Sequence, residues 1–251
     1  MTSMHRGGEA AAYCRRVLPR VSRTFAINIE MLDPGLRDTV LAAYLLCRAA
    51  DALEDSWPGP SQEVIGRFDR LLEALEGAPG AASALASAAA ARAGGADDLD
   101  LLAHLPLVLE ALDSRPAEER PIVREAVRIM AAGMSRYASR VADRPPGACY
   151  LDDDGELRDY CWVVAGCVGA MLTRLFERRL GGHDPLREVR RERAPRVGEA
   201  LQLTNILLDL PGDVRRGRCY VPARWLAEHG LTPGTLVAAP SAASRAVARR
   251  L

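Results

Sequence analysis

The chain has no lysine. All 33 basic residues are arginine, set against 33 acids, so the formal net charge is zero. A neutral chain offers no electrostatic case for nucleic acid or a strongly anionic surface as its main partner. Aromatic residues are scarce, at 5%. Six cysteines are scattered without a CxxC pair, and His5, His104, His183 and His229 stand far apart, so a zinc site has no ligand pattern to rest on. No G-x-G-x-x-G is present, which leaves a Rossmann nucleotide site unsupported. No stretch alternates apolar and polar residues over strand length, no solenoid-type repeat recurs, and no uninterrupted apolar run reaches about 18 residues. The first residues lack the apolar core of a signal peptide. What is left is the expectation of a reduced, cytoplasmic, all-α protein, with 49% apolar residues in 251 to build a large core.

What is present is helical periodicity. Residues 8–20 read as a short helix stopped near Pro19. Ser22-Arg23-Thr24-Phe25 opens a second helix to about Met31, and Asp33-Pro34-Gly35 is a turn. From Leu36 to Ser56 the chain is almost continuously apolar on one side, until Trp57-Pro58-Gly59-Pro60 breaks it. Residues 61–76 are amphipathic. Residues 78–97 are alanine-rich, with little side chain to bury, and read as a weak helix or a mobile connection. Residues 98–113, despite Pro106, and Pro121 to Arg140 follow as helices, then a polar loop from Asp143 to Glu156 with Pro145-Pro146-Gly147. Leu157 to Leu180 is a long helix holding Gly166 and Gly169. Interior glycines cost about 1 kcal/mol each against alanine, and close helix packing or a nearby ligand is what usually justifies them.

Two acidic segments stand out. In Leu201 to Pro222, Asn205, Asp209 and Asp213 recur every fourth residue on an apolar run that ends in Arg215, Arg216 and Arg218. Upstream, Asp51-Ala-Leu-Glu54-Asp55 repeats the spacing on the buried-looking helix. Residues four apart share a helix face, and like charges there repel unless a cation sits between them. Oxygen ligands of this kind suit Mg²⁺, which binds through one or two carboxylates plus substrate phosphates. Asp51, Glu54, Asp55, Asn205, Asp209 and Asp213 are therefore the candidate metal set. Two such helices facing each other across a cleft would make a metal–diphosphate site. Arginines would take the remaining phosphate oxygens; Arg23, Arg48, Arg215, Arg216 and Arg218 are candidates, with Gln202 beside Asn205. Phe25, Tyr44, Trp162, Leu203 and Phe176 are candidate apolar walls, although for each singly core packing is the commoner role.

Tyr44 to Asp55 and Leu201 to Pro222 resemble the two acidic motifs of the squalene/phytoene synthase family, whose members join two prenyl diphosphates head to head. Tyr160-Cys-Trp-Val-Val-Ala-Gly-Cys-Val-Gly169 resembles a third motif of that family. The resemblance covers roughly residues 13–228, without the alanine-rich part. It implies one all-α domain over 1–251, an isoprenoid-synthase helical bundle around a central cavity. By resemblance Arg23 belongs to a Ser-Arg-Ser/Thr-Phe segment, Arg48 precedes the first acidic motif, and Tyr160 is the tyrosine implicated in proton removal. Asp51, Asp55, Asp209, Asp213 and Tyr44 would serve the same chemistry. Residues Ser22 to Leu32 and Tyr160 to Phe176 lie nearer squalene than phytoene synthases, which implies farnesyl diphosphate as substrate, presqualene diphosphate as intermediate and NADPH as hydride donor. Prenyl lipids also imply contact with a membrane surface.

The sequence departs from the family in places. Leu208 stands where relatives usually carry Arg, Gly212 where they carry Glu, and Pro211 lies between the two aspartates, where proline tends to kink a helix. Relatives continue for several helices beyond the position of Leu251, so the domain is expected to be C-terminally short. Phytoene or dehydrosqualene formation, which needs no hydride, stays open as an alternative. So does a non-catalytic prenyl-binding or assembly protein of the same fold.

Overall fold

The computed structural model describes residues 3–57, 59–92, 94, 96–142, 144–145, 147–181, 184–238 and 240–251. Pro58, Asp143, Pro146 and His183, named above, lie outside the described residues, as do Ala93 and Gly95 of the alanine-rich stretch and the side chain of His5. Among the described residues every regular element is a helix, and the sole β-type pairing is an isolated bridge between Cys149 and Cys219. The all-α expectation holds. The chain divides into two compact units, Met1–Ala132 with Met171–Arg187, and Gly133–Ala170 with Glu188–Leu251.

The first unit is built on α3 (Pro34–Asp55), which packs against α1 (Ser3–Val21), α2 (Arg23–Glu30), α4 (Ser61–Leu75), α6 (Asp97–Ala103) and α7 (Leu105–Asp113). Its start follows ordinary capping rules: the Asp33 carboxylate accepts from Gly35 N (3.1 Å) and Pro34 occupies the first turn. Ser22 caps α2 in the same way, accepting from Phe25 N at 3.3 Å. Between α4 and α6 lies α5 (Ala81–Ala90), so the alanine-rich stretch is a packed helix, with Ala81, Leu85, Ala86 and Ala89 buried. Small side chains let it lie close to its neighbours. The expected single helix over 98–113 is two, broken at His104, because Pro106 takes the first turn of α7, where its missing N–H has no helical partner to lose. The first helix runs past Pro19 to Val21.

A helix α8 (Arg120–Ala142) leads on to α9 (Asp154–Cys161), a π-helical turn over Trp162–Gly166, and α10 (Cys167–Leu180). The π turn was not visible in the sequence. By length and composition Asp154–Leu180 could cross a membrane, a property that core helices of globular proteins share. In the second unit this segment crosses α11 (Arg187–Arg215) through glycines. A Cβ on Gly169 would meet the Ala194 carbonyl carbon at 2.8 Å and its oxygen closer still; one on Gly198 would meet Ala165 C at 2.7 Å. Close packing is thus the reason for Gly169, and it extends to Gly198. Despite Pro211, α11 is continuous to Arg215. The proline does not end the helix: it frees the Leu207 carbonyl one turn back, where Leu207 and Leu208 are exposed and water can satisfy it. Three short helices, α12 (Ala223–Glu228), α13 (Pro233–Ala238) and α14 (Ala242–Ala248), close the chain.

Candidate active site

On α3, every residue from Thr39 to Asp55 is buried except four: Tyr44, Arg48, Asp51 and Asp55. Their spacing of 4, 3 and 4 is one stripe of a helix, so a polar seam opens along an otherwise apolar rod. Glu54, the remaining acid of the segment, is buried beside it.

Neighbouring elements aim these side chains. The Tyr44 ring lies 5.1 Å from that of Phe25 on α2, and burial pushes its phenol pKa up, against a hydrogen bond with Ser22. Arg48 is held in a fork: Nε donates to Asp98 Oδ1 (2.9 Å) and Nη2 to Oδ2 (2.7 Å), while Ser56 Oγ donates to the same Oδ2 at 2.6 Å. Burial works against the Arg48 charge, and the Asp98 bonds outweigh it, so the guanidinium holds its proton more firmly than usual. Asp98 opens α6, where acids complement the helix dipole; Arg20 binds Asp97 and Asp100 there.

Asp51 has the strongest perturbation in the seam. Half-buried, Asp51 sits deep enough in the seam that loss of water, then the charges of Asp55, Glu54 and Asp98, push its carboxyl up to about 7, with Arg48 pulling the other way. The charges that Asp51 feels are mostly negative, and Arg48, the one cation acting on it, is itself bonded to Asp98. That imbalance fits a divalent cation. Among the described residues no group of three His, Cys, Asp or Glu side chains converges to hold a metal alone, so any cation here would complete its shell from substrate oxygens or water, as Mg²⁺ commonly does.

The second acidic segment lies on α11 in the other unit. Asn205 and Asp209 are exposed, Gln202 is half-buried, and Ile206 and Leu210, on the flank beside them, are buried. Asp213 is different. Its side chain is largely shielded and accepts from Arg216 Nη2 at 2.5 Å, and its carbonyl accepts from Arg216 N (2.9 Å) and Arg218 N (2.8 Å). Arg218 is half-buried.

Tyr160 is buried in the second unit within a cluster of tyrosines that the sequence did not reveal. Its ring stacks on Tyr220 (4.9 Å) and meets Tyr137 edge-on (5.3 Å), and Tyr220 lies 4.8 Å from Tyr150. Tyr137 Oη donates to Asp159 Oδ2 at 2.6 Å. Tyr220 lies near the end of the second acidic segment, so packing ties Tyr160 to that segment's end. Of the remaining wall candidates, Phe25, Trp162 and Phe176 are partly exposed. Leu203 lines a recess of about 150 Å³ with Leu157, Cys161, Glu199 and Trp225. Arg23 is exposed at the start of α2.

A helical fold that carries two acidic, arginine-flanked segments defines the class: an all-α protein with acids at helical spacing on two of its helices. The sequence profile of squalene/phytoene synthases matches residues 18–251. A 15-cis-phytoene synthase from Synechocystis is 31% identical over 226 residues, 85% of this chain and 56% of that protein. A squalene synthase from Candida albicans is 29% identical over 214 residues, 83% of this chain and 44% of that protein. A phytoene synthase from Pseudescherichia vulneris is 32% identical over 242 residues, covering 92% and 65%. Among solved structures, a complex of TcSQS with the ligand BPH1237 aligns with a TM-score of 0.68 and 25% identity over 88% of this chain and 60% of that one. The squalene synthase HpnC from Alicyclobacillus acidocaldarius shares the fold, with a TM-score of 0.58 and 21% identity over 98% of this chain and 80% of that one. This chain belongs to the squalene/phytoene synthase family. It spans about half the length of the first curated relatives it matches.

Proposed function

We propose that the chain condenses two prenyl diphosphates head to head, with divalent metal, and that its product is of the squalene type. The observation that carries this reading is the seam on α3: four polar residues, Tyr44, Arg48, Asp51 and Asp55, opening from a helix buried everywhere else over that stretch. A seam whose acids repel one another and whose arginine is locked in a fork is suited to hold a charged leaving group, not to stabilise a fold. Asp51, Glu54 and Asp55 in the first unit, and Asn205, Asp209 and Asp213 in the second, are the candidate Mg²⁺ ligands that each unit holds. Bound there, the cation would neutralise charge growing on the departing diphosphate oxygens. Arg48, fixed by Asp98, would present its remaining N–H groups to phosphate, joined by Arg23 and Arg218. Phe25 and Tyr44 would keep water from an allylic cation. The Tyr160 hydroxyl would take or relay a proton as carbon–carbon bonds form. We read residues 1–251 as one catalytic domain of this family, working in the cytoplasm with its lipid substrates drawn from a membrane surface.

Phytoene-type formation is the second reading, favoured by relatives named phytoene synthases at 31–32% identity beside squalene synthases at 29%. The two differ in one co-substrate. Purified protein is incubated with farnesyl or geranylgeranyl diphosphate and Mg²⁺, with and without NADPH, and the hydrocarbons are identified. Squalene appearing only with NADPH supports the first reading, and a hydride-independent polyene the second. Turnover unaffected by EDTA would refute both.

A further inference from the structure

A recess of about 290 Å³ in the first unit, lined by Trp57, Glu63, Arg67, Arg70, Leu85 and Arg92, has no part in the chemistry above. Three arginines converge on it against one carboxylate. Arg67 is buried and already satisfied: Nη1 donates to the carbonyls of Trp57 (2.6 Å) and Leu53 (3.3 Å), Nη2 donates to Glu63 Oε2 (3.0 Å), and the guanidinium lies 4.5 Å from the centroid of the Trp57 ring. Glu63 is thereby used. Arg70 and Arg92 are exposed at the rim, and no ion pair among the described residues holds either. Elsewhere in this unit Arg15, Arg20, Arg37, Arg48, Arg115 and Arg124 each sit on a carboxylate. Burial lowers the proton affinity of Arg67, and the charge of Arg92 adds to that. The recess thus carries two positive charges beyond its own acid, with a wall of Leu85 and Ala88 to limit hydration.

We propose that this recess is a second anion site, separate from the acidic seam, and that it takes a phosphate-class dianion, free or carried on a lipid headgroup. Two unanswered guanidinium groups match a dianion in charge, and their planar forks match phosphate oxygens in geometry. Arg67 fixes the floor; Arg70 and Arg92 close on the ligand.

The test uses the full chain in EDTA, without Mg²⁺, so that metal-assisted diphosphate binding is silent. Thermal stability is followed against inorganic phosphate at constant ionic strength, for wild type, R70A/R92A, the charge-matched control R245A/R249A, and D51N. Arg67 is left in place because its carbonyl bonds make its removal a folding perturbation. The expected result is a saturable rise in Tm for wild type, control and D51N, with the midpoint at least tenfold higher in R70A/R92A. An unchanged midpoint in R70A/R92A, the absence of a saturable response in wild type, or loss of the response in D51N would each overturn the proposal. Sedimentation with phosphatidylcholine vesicles, with and without phosphatidic acid, distinguishes the sources. Capture by phosphatidic acid that depends on Arg70 and Arg92 and is competed by phosphate assigns a lipid headgroup; phosphate binding without capture assigns a soluble ligand.

Discussion

Replacing Gly198 by alanine should destabilise the protein, although on propensity alone it should do the reverse. Gly198 lies inside α11, and its Cα faces the π turn of the crossing helix. An added Cβ would stand 2.7 Å from Ala165 C and 3.1 Å from Gly166 Cα, where ordinary contact begins at 3.4 Å, a shortfall of 0.7 Å at the first. Both neighbours are backbone, which no rotamer change can move aside. Overpacking costs roughly 1–3 kcal/mol, and the better helix propensity of alanine returns about 1. With backbone in the way the upper end applies, for a net loss of about 2 kcal/mol. Gly212→Ala is the control on the same helix: its nearest neighbour is Arg216 Nη1 at 3.6 Å, an ordinary contact, so only the propensity gain of about 1 kcal/mol remains. Urea unfolding followed by helical circular dichroism compares the two against wild type. Any stepwise unfolding affects both alike, since they share a helix and a unit. Near 250 residues a kcal/mol is worth about 2–4 °C, so Gly198→Ala should melt roughly 4–8 °C lower. If Gly198→Ala is as stable as wild type, the close crossing of α11 with the π turn is wrong.

Asp98→Asn should lower turnover at least tenfold and stability by about 1–2 kcal/mol, because it removes the charge-assisted fork that aims Arg48. Arg48→Lys should not restore activity in that background, since an ammonium cannot reproduce the fork; recovery by lysine would show that charge alone matters. Tyr160→Phe should bind prenyl diphosphate normally and lose most of the first coupling step in single-turnover kinetics; equal rates would make the stack on Tyr220 its entire role. The Asp152 pKa is lowered by its hydrogen bond to Arg144, with Arg140 also contributing. A depressed carboxyl contributes stability that is present above its ordinary value of 3.8 and is lost as pH falls through the folded value. Melting temperature should thus drop more steeply below about pH 4 in wild type than in Asp152→Asn. Parallel profiles would remove Asp152 from the acid response.

The seam of α3 was legible because helical spacing alone decides a face: Tyr44, Arg48, Asp51 and Asp55 needed no tertiary knowledge to be grouped. The helix start at Ser22 was local for the same reason, whereas Asp33, read as part of a turn, proved to be the cap of α3. Asp98 was invisible as the partner of Arg48 because 50 residues separate them and acids are common; only packing of α6 on α3 brings them together. Tyr220 and Tyr160 are likewise joined across 60 positions by packing. Gly169 announced a close approach without naming the approaching backbone, which proved to be Ala194. The π turn over Trp162–Gly166 has no spacing signature of its own in the sequence. The alanine-rich helix was underestimated because little side chain was taken to mean little packing, whereas small residues permit closer packing.

Both acidic segments sit at the C-terminal ends of their helices: Asp51, Glu54 and Asp55 in the last turns of α3, and Asp213 in the last turn of α11. A helix C-terminus is its negative end, and a carboxylate there is disfavoured by about 0.3–1 kcal/mol. Folding would be better served by cations in both places. The two ends answer this differently. The last turn of α3 has no basic residue, and Arg48 further back is bonded to Asp98, so the charge of that turn itself is negative. The end of α11 supplies Arg215 and Arg216 itself, and Arg216 already lies on Asp213 at 2.5 Å. A cation taken up by Asp213 would release Arg216, an exposed guanidinium then able to turn to an anion. One segment thus seeks positive charge, and the other holds positive charge that it can give up.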